Sequence, residues 1–157
     1  MPNSRRLDGT DRAILSQLQA DGRMSNVALA KAVNLSATPC LERVRRLERE
    51  GYIQGYAARI NPQLVGAGLL VFVEINLSHT SPDVFRDFRR AVRDLPQVLD
   101  CHLVSGNFDY LIKARVADMA AYRALLGDKL LPLPGVSGSR SFVVMEEVKE
   151  TLAIGIA

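Results

Sequence analysis

Thr38, Glu42, Arg45, Arg46 and Arg49 recur three or four positions apart, so they share the outer side of one helix once Cys40, Val44 and Leu47 turn inward, with Arg43 at the margin. Their chemistry suits an anionic polymer. An arginine fork matches the edge of a guanine or a phosphate, and a glutamate accepts from cytosine or orients a neighbouring arginine. Ser36, Thr38 and Pro39 stand at the N-terminal end of this helix, the end that enters a major groove in helix-turn-helix proteins. The spacing alone also fits a solvated face laced by Glu42–Arg46 and Arg45–Glu48 pairs. Ten basic residues against six acidic ones through Ile60, in a chain whose net charge is only +3, weight the reading toward double-stranded DNA.

Three helices are needed to hold that face. Asp8 caps the first, which runs through Gln19 with Ile14, Leu15 and Leu18 on one stripe until Gly22 interrupts it. Ser25 caps a short second helix carrying Val27, Leu29, Ala30 and Val33, ending at Asn34, a residue tolerant of left-handed geometry. Ser36 caps the third, with Pro39 in the first turn where its missing N–H costs nothing, and Gly51 stops it. The short link Asn34-Leu35-Ser36 between the last two, with small Ala30 at their closest approach, is a helix-turn-helix pattern. Tyr52 to Ile60 alternates around a glycine and reads as a strand or small wing. Asn61-Pro62 and Gly66-Ala67-Gly68 then form a hinge. Gly66-x-Gly lacks a third glycine and precedes a strand, so it is no dinucleotide fingerprint.

The remainder alternates strands and helices. Leu69 to Leu77 is a strand; Ser81-Pro82 opens a helix with Val84, Phe85, Phe88, Val92 and Leu95 on one face until Pro96. Val98 to Val104 and Tyr110 to Val116 make a hairpin around Ser105-Gly106-Asn107. Asp118 caps a helix placing Met119, Tyr122, Leu125 and Leu126 on one side until Pro132, and Ser141 to Val148 supplies the fourth strand. Leu95-Pro96-Gln97-Val98 and Leu133-Pro134-Gly135-Val136 follow the two helices as a faint repeat. The fold class is α+β: an N-terminal winged helix-turn-helix domain plus a C-terminal ferredoxin-like βαββαβ (ACT-like) domain. The expected boundaries are 1–60 for the DNA-binding part, 61–68 for the linker, 69–150 for the sensing and oligomerisation part and 151–157 for a tail. Helices cover only one sheet face, and strands such as Val71-Phe72-Val73-Glu74-Ile75 are apolar at nearly every position, so a homodimer joined sheet face to sheet face is expected.

A chain of 157 residues can bury a core without disulfides or metal. Cys40 and Cys101 read as reduced thiols. Leu69 to Val73, the longest apolar run, is far too short to cross a bilayer, so no membrane partner and a cytoplasmic location are expected. Two histidines, two distant cysteines and the absence of nucleophile-elbow, zinc-protease or phosphate-loop motifs argue against an enzyme, a metal site and a bound cofactor.

The run Pro39-Cys40-Leu41-Glu42-Arg43-Val44-Arg45-Arg46-Leu47-Glu48-Arg49, with Leu70-Val71-Phe72-Val73-Glu74-Ile75, Cys101-His102-Leu103-Val104-Ser105-Gly106 and Val143-Val144-Met145-Glu146-Glu147-Val148-Lys149, closely resembles the Lrp/AsnC family over almost the whole chain. The resemblance implies an amino-acid-responsive transcription regulator of amino-acid metabolism, an activator or a repressor, built from dimers that assemble further, commonly to octamers. It also implies an amino-acid effector, leucine first, bound between subunits near the loop Gly106-Asn107-Phe108-Asp109-Tyr110. Backbone N–H groups at the glycine turn would hold the carboxylate, Asp109 would accept from the ammonium, and Leu103, Met119, Val143 and Val144 would measure the side chain. Asn107 stands where the family usually has Asp, Phe142 where relatives often have tyrosine, and the tail is apolar where theirs is basic. Other family effectors, acting in proline or branched-chain catabolism, stay open, as does a sensor that acts on an enzyme in place of DNA.

Overall fold

The computed structural model describes residues 6–156. The chain forms two compact units: one is the chain through Arg59 together with the segment from Lys149 onward, the other Ile60–Val148.

The first unit is helical. Helix α1 (Gly9–Ala20) starts at a capping box in which Asp8 accepts from the Asp11 N–H and the Asp11 carboxylate accepts from the Asp8 N–H. Helix α2 (Asn26–Ala32) is capped by Ser25, and Asn34 beyond it takes a left-handed φ of 56°. Helix α3 (Ala37–Arg49) follows N-cap Ser36, whose side chain makes no capping bond; instead the Asn26 amide donates to the Ala37 carbonyl and ties α2 to the start of α3. Ile14, Leu15, Leu29, Ala30, Cys40 and Leu47 form the core. Residues 52–60 form no strand: Tyr52 and Ile53 pack on the helical core, and Gln54 to Ile60 are exposed, without a ladder partner among the described residues. An alternating pattern makes a strand only when another strand accepts its hydrogen bonds, and none of the described residues does so there. The segment expected as the C-terminal tail belongs to the same unit. Ile154 exchanges two backbone bonds with the Gln19 amide, at 2.8 and 3.0 Å, and Ile156 packs against the core.

The second unit is a four-stranded antiparallel sheet in the order β2-β3-β1-β4, with β1 Leu69–Leu77, β2 Val98–Leu103, β3 Tyr110–Val116 and β4 Val136–Val143. Helices α4 (Pro82–Arg93) and α5 (Met119–Leu125) complete the split βαβ halves, and α5 runs on into a π-helical turn at Leu126–Leu130. Val71, Val73, Ile75 and Ile112 point to the core with Phe88, whose ring stacks on Tyr110 at 4.3 Å between centroids. Two further expectations need correction. The last strand begins at Val136 and ends at Val143, because the β1 ladder pairs Leu77 through Val71 with those residues; Ser137, Gly138 and Ser139 are weak strand formers held by that pairing. Met119 lies exposed at the head of α5, not on its buried side.

Direct ladder partners share a face, so Phe72, Leu111 and Phe142 lie together on the side away from the core, with Glu74, Arg140 and Lys113 among them. That open face is therefore mixed, not apolar throughout; Arg140 stands 3.7 Å from Glu74.

Candidate functional site

Helix α3 presents two different sets of charges. Ser36, Thr38, Pro39, Glu42, Arg45 and Arg49 are exposed, and 38, 42, 45 and 49 fall on one stripe. Neither Arg45 nor Arg49 makes an ion pair among the described residues, which leaves both guanidinium groups available to phosphates or base edges. Arg46, expected on this outer face, is not there. Its guanidinium lies 2.6 Å from Asp11 of α1, and the side chain is 19% exposed. Arg43 turns the same way, 2.6 Å from Asp8 and 2.7 Å from Asp11. The reason lies in Asp11, which sits on the apolar stripe of α1 and is 1% exposed: a carboxylate taken out of water requires charged partners, and α3 supplies two. The two arginines thus clamp α1 to α3.

The Arg43 hydrogen bond, aided by the Asp11 N–H, draws the Asp8 carboxyl down from its ordinary 3.8 to about 2, and the same contacts raise Arg43. A carboxyl depressed on folding adds stability that is present above its unfolded pKa and disappears as pH falls through its folded one. Denaturant midpoints of the full chain should therefore fall between pH 4 and pH 2 more steeply than those of Asp8→Asn. Parallel curves for the two proteins would remove Asp8 from the clamp.

The residues expected to bind an effector separate into two groups. At one end of the sheet, Leu103 closes β2, and Gly106, Asn107 and Asp109 form the turn before Tyr110. Gly106 has φ 151°, a conformation side chains rarely adopt. Asp109 is half-buried and already employed: its Oδ2 accepts from the Leu77 N–H at 2.7 Å, and its own N–H donates to Ile75. Tyr110 is a core residue, 2% exposed. Met119, Val143 and Val144 lie at the opposite end, beyond Val116 of β3, where β1 residues Leu69 to Val71 pair; Phe142 is beside them on the open face. Phe142 and Val143 stand level with Lys113 and Ala114, three and four steps from Tyr110, whereas Met119 lies beyond Val116, six steps or about 20 Å away, so no single amino acid touches both Asp109 and Met119 within one chain.

Sequence reasoning missed Asp11 as the hub of the clamp and Asn26 as the α2–α3 tie. A signal for the first was present, because position 11 continues the stripe of Ile14, Leu15 and Leu18.

Residues 7–54 match a family model described as winged helix-turn-helix DNA-binding, and residues 70–154 one described as Lrp/AsnC ligand binding domain. The chain belongs to the Lrp/AsnC family. Within that family it is 63% identical over 145 residues to the leucine-responsive regulatory proteins of Escherichia coli K12 and Salmonella typhimurium LT2, covering 92% of this chain and 88% of each relative. It is also similar to a transcriptional regulator of Neisseria meningitidis solved as a complex with L-Met, with TM-score 0.91 and 39% identity over 96% of this chain and 97% of that one. As an Lrp/AsnC member the protein is a transcription regulator and not an enzyme, with DNA and a small ligand as partners. No helix among the described residues is long and apolar enough to cross a membrane.

Proposed function

We propose that this chain is a leucine-responsive regulator that reads duplex DNA through Thr38, Glu42, Arg45 and Arg49, with effector sites built between subunits. The observation that carries the first part is the stripe itself: four exposed residues on one helix, their arginines unclaimed, beside a clamp that claims the other two arginines. In a dimer two copies of α3 would enter successive major grooves, with the Ser36 end leading. The dimer forms through the open sheet face, where Phe72, Leu111 and Phe142 gain cover and the charged residues among them fix register. Assembly continues to a higher oligomer, an octamer in this reading, and the protein resides with the nucleoid.

Effector placement follows from the separation of the two residue groups. The turn at Gly106–Tyr110 of one subunit and the group at Met119, Phe142, Val143 and Val144 of another compose one site, so that ligand affinity depends on assembly geometry. Leucine is the effector suggested by the enterobacterial relatives, and methionine belongs in the same titration because the Neisseria regulator was solved with it. Differential affinity for two assemblies of ~1–3 kcal/mol suffices to couple effector to DNA.

A gel-shift titration tests the DNA part. With about six phosphates neutralised per dimer, the slope of log affinity against log salt is expected near about −5. A flat salt response would overturn the reading.

A further inference from the structure

Beside the turn, between α4 and the edge strand β2, a cleft of about 160 Å³ is lined by Arg89, Val92, Arg93, Cys101, Leu103 and Tyr110. Its floor is apolar: Val92 is 4% exposed, and burial pushes the Cys101 thiol up to about 11, so it stays neutral. The Tyr110 hydroxyl is buried and has no hydrogen-bond partner among the described residues, although the ring meets Phe85 edge-on and stacks on Phe88. Tyr110 itself lines the cleft beside Arg89 and Cys101. Buried hydroxyls are nearly always paired, so an orphaned one facing a cleft points to a missing acceptor.

The cations define that acceptor. Arg89 is held by its Nε donating to the Phe85 carbonyl at 3.0 Å, which leaves its remaining N–H groups free of that bond. Among the described residues neither Arg89 nor Arg93 is ion-paired to a carboxylate. No acidic side chain lines the cleft, and the nearby Asp109 already accepts from Leu77 through Oδ2. Within the lining an ammonium group would therefore meet two guanidinium groups, with Asp109 outside it as the nearby carboxylate, whereas a carboxylate would meet two cations.

We propose that this cleft binds a small aliphatic carboxylate lacking an amino group, such as a branched 2-oxo acid or a short branched fatty acid, as a second ligand distinct from the amino-acid effector. Arg89 and Arg93 clamp the carboxylate, the Tyr110 hydroxyl donates to it or to an adjacent keto oxygen, and Val92, Cys101 and Leu103 cover the aliphatic part. The site shares Leu103 and Tyr110 with the amino-acid reading but needs no second subunit.

Calorimetric titration of the full-length protein with 4-methyl-2-oxopentanoate, 3-methylbutanoate and leucine tests it. The three share a branched skeleton; the first two separate a 2-oxo acid from a simple acid, and leucine adds the ammonium. The Arg89→Gln/Arg93→Gln variant, changed only at exposed positions, is expected to weaken acid binding about a hundredfold and Tyr110→Phe about threefold to tenfold. Leucine should be unaffected by Arg89→Gln/Arg93→Gln. Bound acid should also slow alkylation of Cys101, while the fully buried Cys40 reports on overall unfolding. Failure of both acids to bind, or binding indifferent to the arginines, overturns the proposal. So does leucine losing affinity in step with the acids, which would make the cleft part of the amino-acid site. The DNA reading fails separately, by loss of the gel shift with the acid titration intact.

Discussion

Asp11→Ala is expected to destabilise the helical unit by about 3–5 kcal/mol, the cost of stripping a buried charged partner from its counter-ions, and to abolish DNA binding with it. Arg46→Ala moves in the same direction, because Asp11 then keeps only Arg43 inside a site that water does not reach. Arg45→Ala behaves in the opposite manner. Its side chain is exposed and unpaired, so the unfolding curve stays within about 0.5 kcal/mol of the parent, yet binding to a promoter fragment weakens by ~1–3 kcal/mol if the arginine meets a base edge. Urea unfolding of the full chain, read beside gel shifts of the same proteins, separates the cases. Arg46→Ala that unfolds like the parent and still loses DNA would return Arg46 to the reading face; Arg45→Ala that keeps full affinity would remove Arg45 from it.

This contrast between adjacent arginines shows where sequence periodicity succeeds and where it stops. Apolar spacing located all three helices of the first unit and placed β1 and β3 with the bounds observed, because burial of Ile14, Leu47, Val73 or Ile112 is a property of the residue and its immediate period. The thirteen-residue α3 was legible for the same reason, and so was its outer stripe of Thr38, Glu42, Arg45 and Arg49. Arg46 was not, since its direction is decided by a carboxylate thirty-five positions earlier that only the folded unit brings near. The start of β4 escaped for an analogous reason. Val136-Ser137-Gly138-Ser139 has little intrinsic preference for a strand and extends because β1 presents unpaired backbone groups beside it. Conversely, residues 54–60 had the pattern but no adjoining strand among the described residues. Of the region expected to bind the effector, the turn at Gly106 was legible from its composition, but the prior engagement of Asp109 by the Leu77 N–H was not, because that bond joins residues thirty-two positions apart.

The engagement of Asp109 also determines how the effector site must be tested. Asp109→Ala would leave the Leu77 N–H without its acceptor and confuse a binding loss with a local structural one, whereas Asp109→Asn keeps an oxygen for that bond and removes only the charge an ammonium needs. At the other end of the sheet, Met119→Asp is benign for folding: the residue is 49% exposed in the first turn of α5, where an acidic side chain is favoured. Each variant alone is expected to lose its leucine-dependent change in the DNA complex. Co-assembly of the two then discriminates sharply. If a site takes its turn from one subunit and its far-end residues from another, random mixing leaves about one site in four with both halves intact, and about a quarter of the response returns. If every site lay within one chain, each chain would carry one defect and mixing would restore nothing. A mixed oligomer with no recovery would therefore overturn the between-subunit site, and a full response from either variant alone would remove its residue from the site. The expected quarter rests on the proposed between-subunit site, for which the support is that about 20 Å of strand β3 stands between Asp109 and Met119 in one chain.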